Sequence, residues 1–183
     1  MRAIEALDGA LRRANRVVGL ILGAVLVGMV IYILIDVVGR KIGWGSIGGT
    51  DEISGYVMAA LASWGLACTL LERAHVRIDL IRQKCAEAGQ ALMDLFAMIV
   101  TNGVVLVIAV NCWPVLRATI AHGSQANTAL STPLWIPQGI WFAGWVWFAF
   151  SATALSLIGT AYLAAGRRGA LARAIGIGSE LEQ

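Results

Sequence analysis

Charge is what this chain has least of. Asp, Glu, Lys and Arg make up 14% of its 183 residues, against about a quarter in soluble domains, while 58% are apolar. Such a composition excludes an ordinary water-soluble fold. Cysteine and histidine are scarce too. Cys68, Cys85 and Cys112 stand too far apart for a chelating motif, and His75 and His122 lack paired zinc spacing, so neither a metal site nor a cofactor is expected. No Ser, Thr or Cys sits beside a base with an orienting acid, and no Gly-rich phosphate loop is present. An enzyme is therefore not expected. The basic residues are scattered among segments flanking apolar runs, without interleaved aromatics, which argues against nucleic acid as a partner.

What the chain does have is four apolar runs of the ~20 residues a helix needs to cross a bilayer. They lie at about 17–39, 53–71, 95–116 and 138–163. Continuous runs of this length suit helices rather than the alternating strands of a barrel, because backbone groups in lipid must satisfy one another. The expected fold is an all-α membrane protein, a four-transmembrane-helix bundle forming one integral membrane domain. The first run exceeds a usual signal-peptide core and no clear cleavage site follows it, so it is read as a retained span.

Lys and Arg on retained loops set orientation. Eleven lie in the amino-terminal tail, the segment between spans two and three, and the carboxy-terminal tail; Arg40, Lys41 and Arg117 fall on the other side. Both termini are thus expected in the cytoplasm. Trp44, Trp113, Trp135 and Trp141 cluster near the opposite ends of the spans, as an interfacial belt would. Before span three, Ile81, Cys85, Ala88 and Leu92 share one helical face. A helix from Asp79 to Leu116 would run about 57 Å, so this amphipathic helical segment is expected along the inner surface, with a bend near Gly89.

Polar groups within the spans are few. Asp36 is the one acid, and Arg40 lies one turn further on, the spacing at which an acid and a base meet. An intramembrane polar pair is the expectation, in preference to ion handling. Asn102, near the middle of span three, is expected to hydrogen-bond across helices. Small residues recur every fourth position at Gly55, Ala59, Ser63 and Ala67 and at Ala152, Ser156, Thr160 and Ala164, the usual device for close helix approach in lipid. With neither several midplane polar groups nor paired broken helices, the chain is not expected to carry a solute alone.

At the outer start of span two, Thr50 is expected to cap the helix, with Asp51 and Glu52 in its first turn. At the inner end comes ERAHVRIDLI, residues 72–81, a charged stop with alternating apolar members. DVVGR at 36–40, the acidic pair Asp51 and Glu52, Gly65, and HVRID at 75–79 together resemble the small membrane subunit of tripartite ATP-independent periplasmic (TRAP) transporters, the DctQ family. The resemblance runs from Val17 to Leu80. Glu52, Gly65, His75 and Asp79 keep that family's intervals, whereas Gly55 stands where its members often carry Arg.

The resemblance implies a non-catalytic subunit in the bacterial inner membrane. Its partners would be a large multi-span transporter subunit, which it would scaffold, a periplasmic solute-binding protein and membrane lipids. Uptake would be sodium-coupled, with an organic acid as cargo. Arg40, Asp51, Glu52, Gly65, His75, Arg77 and Asp79 become the docking or structural candidates, with a pairing of Arg40 and Glu52 left open. Two other readings stay open: a membrane anchor of a respiratory oxidoreductase, and a small independent transporter working as an oligomer around Asp36.

Overall fold

A computed structural model describes residues 2–74, 84–128 and 130–176. It is a helical bundle, and four of its helices are long and apolar enough to cross a membrane. These are α1 (Arg2–Lys41), α2 (Thr50–Leu71), α3 (Glu87–His122) and α4 (Trp135–Ala164); a short α5 (Arg168–Ile175) follows. Each long helix contains one of the apolar runs and extends beyond it. Forty residues of α1 rise about 60 Å, twice the ~30 Å thickness of a bilayer's hydrocarbon core.

α4 is the centre of the bundle, packed against both α2 and α3, while α1 leans on α2 and α5 closes against α4 and α3. The small residues explain these approaches. A side chain at Gly144 of α4 would collide with Ser63 and Trp64 of α2, and one at Gly159 with Ile175 of α5 and Leu95 of α3. Ser63, Ala67, Ala152 and Ser156 are all buried, whereas Thr160 and Ala164 at the end of the α4 row are exposed. Dispersion between closely spaced backbones holds such a bundle, since lipid supplies no hydrophobic drive.

α1 is peripheral. Only 6% of its most apolar stretch is buried within the chain, against 56% for α4. Leu20, Ile21, Val27, Ile31 and Leu34 are all exposed. Its buried side chains fall on one seam: Leu11 and Asn15 are four residues apart, and Asn15, Met29 and Asp36 follow at intervals of fourteen and seven.

Three expectations are corrected by the local geometry. Gly49, not Thr50, is the N-cap of α2; it adopts φ +69° in the left-handed region and has no side chain to cap with, and Leu130 occupies the space a Cβ would need. Thr50 is instead the first helical residue and is buried. The continuous helix into span three is broken: α3 starts at Glu87 after Ala86 in extended conformation (ψ 158°), so Lys84–Ala86 are outside the helix, and residues 79–83 lie beyond those described. Gly89 permits that entry, because a Cβ there would approach the Cys85 Cβ to 3.1 Å. The third correction is α5, a helix inside what composition presented only as a basic tail. Its buried Leu171, Ala174 and Ile175 have the spacing of one helical face.

Candidate functional site

Two polar clusters, together with the Thr153–Asn102 and Trp64–Ile140 hydrogen bonds, link the helices among the described residues, and Asp36, Arg40 and Glu52 belong to the first cluster. At the end of α1 distant from its amino terminus, Asp36 is fully buried and Arg40 donates to its Oδ2. The other carboxylate oxygen accepts the Ile47 backbone N–H at 2.8 Å and the Ser46 hydroxyl at 3.1 Å. The loop carrying these donors turns back on α1 through glycines at positive φ, which only glycine adopts freely. Thr50 lies beside the same carboxylate with its hydroxyl outside hydrogen-bond geometry. Asp36 thus pins the α1–α2 connection, and its charge is compensated on every side.

Glu52, in the first turn of α2, does not pair with Arg40. Its carboxylate accepts the Tyr56 hydroxyl at 2.7 Å and the Thr128 hydroxyl from the loop between α3 and α4. That loop is pinched shut by Ala126 N–H to Thr132 O at 2.9 Å and Leu134 N–H to Ser124 O at 3.0 Å. Glu52 therefore ties α2 to the α3–α4 connection, while Arg40 is committed to Asp36. Asp51 is exposed beside it.

At the opposite end, Arg12 joins three elements. Its Nε contacts both carboxylate oxygens of Asp8 at 3.1 Å; Nη1 donates to Leu71 O at the end of α2, and Nη2 to Ala174 O of α5 at 3.0 Å. Both carbonyls belong to the last turn of a helix, where no intrahelical donor is available. A planar, always-charged guanidinium suits this double role, because its forked donors reach two acceptors at once. One turn along, buried Asn15 points its amide at Cys68 O (3.5 Å). Arg167 approaches Glu5 at 3.6 Å and stacks over the Tyr162 ring.

Between the two clusters, Thr153 of α4 donates to Asn102 Oδ1 of α3 at 2.9 Å, the interhelical bond anticipated for that amide. Asn111 and Thr101 bond back to carbonyls of their own helix. Gly65 faces open space: nothing lies within 4 Å of a Cβ built on it. His75, Arg77 and Asp79 lie outside the described residues, and His122 is exposed at the end of α3.

Arg12, Asn15 and Thr128 were not singled out from sequence. The first two carried a readable signal: with Asp8 they fall on the same face of α1 as Leu11, at steps of three and four. Thr128 carried none, since its partner is distant in sequence.

A family model described as "Tripartite ATP-independent periplasmic transporters, DctQ component" matches residues 29–161, more than half of the chain. The chain belongs to the DctQ family. It is a small membrane subunit of a TRAP transporter and a multi-pass membrane protein. No curated protein and no solved structure matches it. The family match includes the cluster from Asp36 to Thr128 and the Asn102–Thr153 bond. Arg12 and α5, which form a clasp with the end of α2, fall outside it. In this DctQ chain the Arg12 clasp is built partly from segments flanking the matched region.

Proposed function

We propose that this chain scaffolds the large permease subunit, holding its static part in the bilayer while that subunit moves the cargo. Uptake in this reading is sodium-coupled, fed by a periplasmic binding protein, and directed at an organic acid across the bacterial inner membrane. Both termini are cytoplasmic, and the membrane-embedded parts are about 17–39, 53–71, 95–116 and 138–163. The observation that carries the proposal is the engagement of the intramembrane carboxylate and of the midspan amide oxygen. Asp36 accepts from Arg40, Ser46 and Ile47, and the Asn102 carbonyl oxygen accepts from Thr153, so both acceptors are used within the chain.

The same observation weighs against an independent transporter built around Asp36. Family membership favours a transporter component over a respiratory anchor. The docking surfaces follow from exposure. α1 offers a long apolar face, and Gly55, Met58, Ala62 and Leu66 of α2 form an exposed face flanked by Gly65. Close helix approach needs such small residues. His75, Arg77 and Asp79 are assigned to docking on the cytoplasmic surface, with Glu52 and Arg40 ordering the periplasmic end.

The test is co-purification and reconstitution. A tag on this chain should retrieve the large subunit from membranes, and vesicles holding both subunits should accumulate solute only with sodium and binding protein. Uptake by this chain alone would refute the scaffold role. His75→Ala with Asp79→Ala should reduce assembly; wild-type assembly and uptake would remove the docking assignment. For orientation, an impermeant maleimide should label Trp44→Cys in intact cells, and Cys85 only after permeabilisation. The reverse pattern would invert the topology.

A further inference from the structure

The outward side of α3 carries polar groups that the rest of the chain does not satisfy. Asp94 and Arg117, the charges that bracket the third apolar run, are 23 residues or about 35 Å apart, and Asn111 lies about 9 Å inward from Arg117. Against a hydrocarbon core about 30 Å thick that depth is within lipid, yet Asn111 is exposed. Its Nδ2 donates to Val107 O of the same helix at 2.7 Å, which leaves the second N–H and the carbonyl oxygen without partners among the described residues. Pro114 adds another orphan. Having no N–H, it leaves the Val110 carbonyl without its helical donor, and Val110 is 68% exposed. Unpaired polar groups are costly in lipid, and an amide there characteristically bonds across helices.

The surrounding face admits a close neighbour. Gly103, Val107, Asn111, Pro114 and Ala118 follow one another on one side of α3 at steps of three and four; all are exposed, and none is larger than valine apart from the amide itself. A Cβ built on Gly103 meets nothing. This face also lies apart from the docking faces assigned above. α3 flanks the α2–α4 pair on the α4 side, and α1 flanks it on the α2 side. In the scaffold reading, on which this step rests, the large subunit covers α1 and α2, which leaves α3 for a different occupant.

We infer that α3 packs along this face against α3 of a second copy of the chain, with Asn111 beside the twofold axis. Copies inserted in the same orientation are related by an axis along the membrane normal, so a residue near that axis meets its own equivalent at the same depth. The free N–H of each Asn111 then faces the carbonyl oxygen of the other, and the Val110 carbonyl, one residue away, is a second acceptor for it. Donor and acceptor sit on one residue, so the surface is complementary to itself. A helix of another chain would have to carry matching groups at that one depth, whereas symmetry places them there in a second copy. The assembly implied is two small subunits back to back, each with its own large subunit.

The test uses the assembled transporter in native membranes, with two differently tagged copies of this chain expressed together. A diazirine amino acid replaces Val107 on this face, or Leu157, which is 65% exposed on α4, as the control. After illumination, Val107 should give an adduct carrying both tags at least five times as abundant as that from Leu157. Asn111→Leu, which suits lipid, should lower the Val107 adduct at least fivefold while the large subunit is recovered in full. Gly103→Leu has open space within its own chain and should do the same by holding the two helices apart; it also decides the matter if Asn111→Leu fails to assemble. Adducts at Val107 to the large subunit or to lipid in place of a second copy, or a two-tag adduct indifferent to both substitutions, would overturn the inference. Absence of the large subunit from the wild-type preparation would refute the scaffold reading instead, and the two-tag adduct would still decide this one.

Discussion

Arg12 of α1 donates to the carbonyl oxygen of Leu71, the last residue of α2, and the same guanidinium reaches Ala174 O in α5. One side chain thereby closes two helix carboxy termini whose carbonyls have no donors of their own, and places positive charge at the negative ends of both dipoles. Replacing it should release α5 first, because α5 is only eight residues long and cannot persist without tertiary contacts. Arg12→Ala should cost about 1–2 kcal/mol, the partly exposed end of the range for charge-assisted bonds. Limited trypsin digestion at Arg167, Arg168 and Arg173 should accelerate in the variant. Arg12→Lys should rescue little, since a single ammonium cannot replace the fork.

Asp36 is the buried half of its pair, and Arg40 is the exposed half. Removing the exposed partner leaves an inner charge with two neutral donors, so Arg40→Ala should destabilise less than removing the carboxylate. Asp36→Asn keeps one acceptor but loses the charge that organises Arg40, Ser46 and Ile47; a loss of about 2–4 kcal/mol is expected. Thermal unfolding of the purified complex measures both. Uptake per assembled complex should be unchanged in Asp36→Asn. Full assembly with abolished uptake would instead assign the carboxylate to the transport path.

The contrast between Asp36 and Glu52 shows how far sequence reasoning reaches. Asp36 and Arg40 are one helical turn apart, so their contact is local and visible in spacing. Glu52 and Thr128 meet only after α2, α3 and the loop beyond α3 are packed, and no periodicity points to that partnership. The four membrane helices were legible because bilayer thickness imposes a length on apolar runs. The start of α3 was not: it depends on a break at Lys84–Ala86 with no proline to mark it. Arg12 was read only as a topology-setting charge. Its role depends on where the ends of α2 and α5 arrive in space, while the face it shares with Leu11 and Asn15 was available from helical phase.

The Asn102–Thr153 bond joins α3 to α4 inside the membrane, where an amide without a partner would be costly. Measured bonds of this kind average about 0.6 kcal/mol, because the unpacked helices find other partners. Thr153→Val and Asn102→Leu should each weaken the bundle slightly. Their double-mutant cycle should return a coupling near that value, read from thermal unfolding of the complex. Uptake kinetics should not move, since the Thr153 hydroxyl and the Asn102 carbonyl oxygen are engaged with each other. A changed substrate affinity in either variant would mean that the amide faces cargo.

Gly65 and Gly144 sit on helices packed against each other, yet they separate the chain's own fold from its assembly. A Cβ at Gly144 collides with Ser63 and Trp64, while one at Gly65 meets nothing within 4 Å. Gly144→Ala should therefore overpack the α2–α4 contact and cost about 1–3 kcal/mol. Gly65→Ala removes backbone freedom without a clash, so the isolated subunit should be unchanged or more stable by up to about 1 kcal/mol. The larger Gly65→Leu still fits this chain but projects into the space where a partner helix would lie. It should leave expression and thermal stability of the subunit intact while lowering recovery of the large subunit in co-purification at least fivefold. Normal recovery with Gly65→Leu would mean that this face of α2 looks into lipid, and would transfer the docking role to the exposed side of α1.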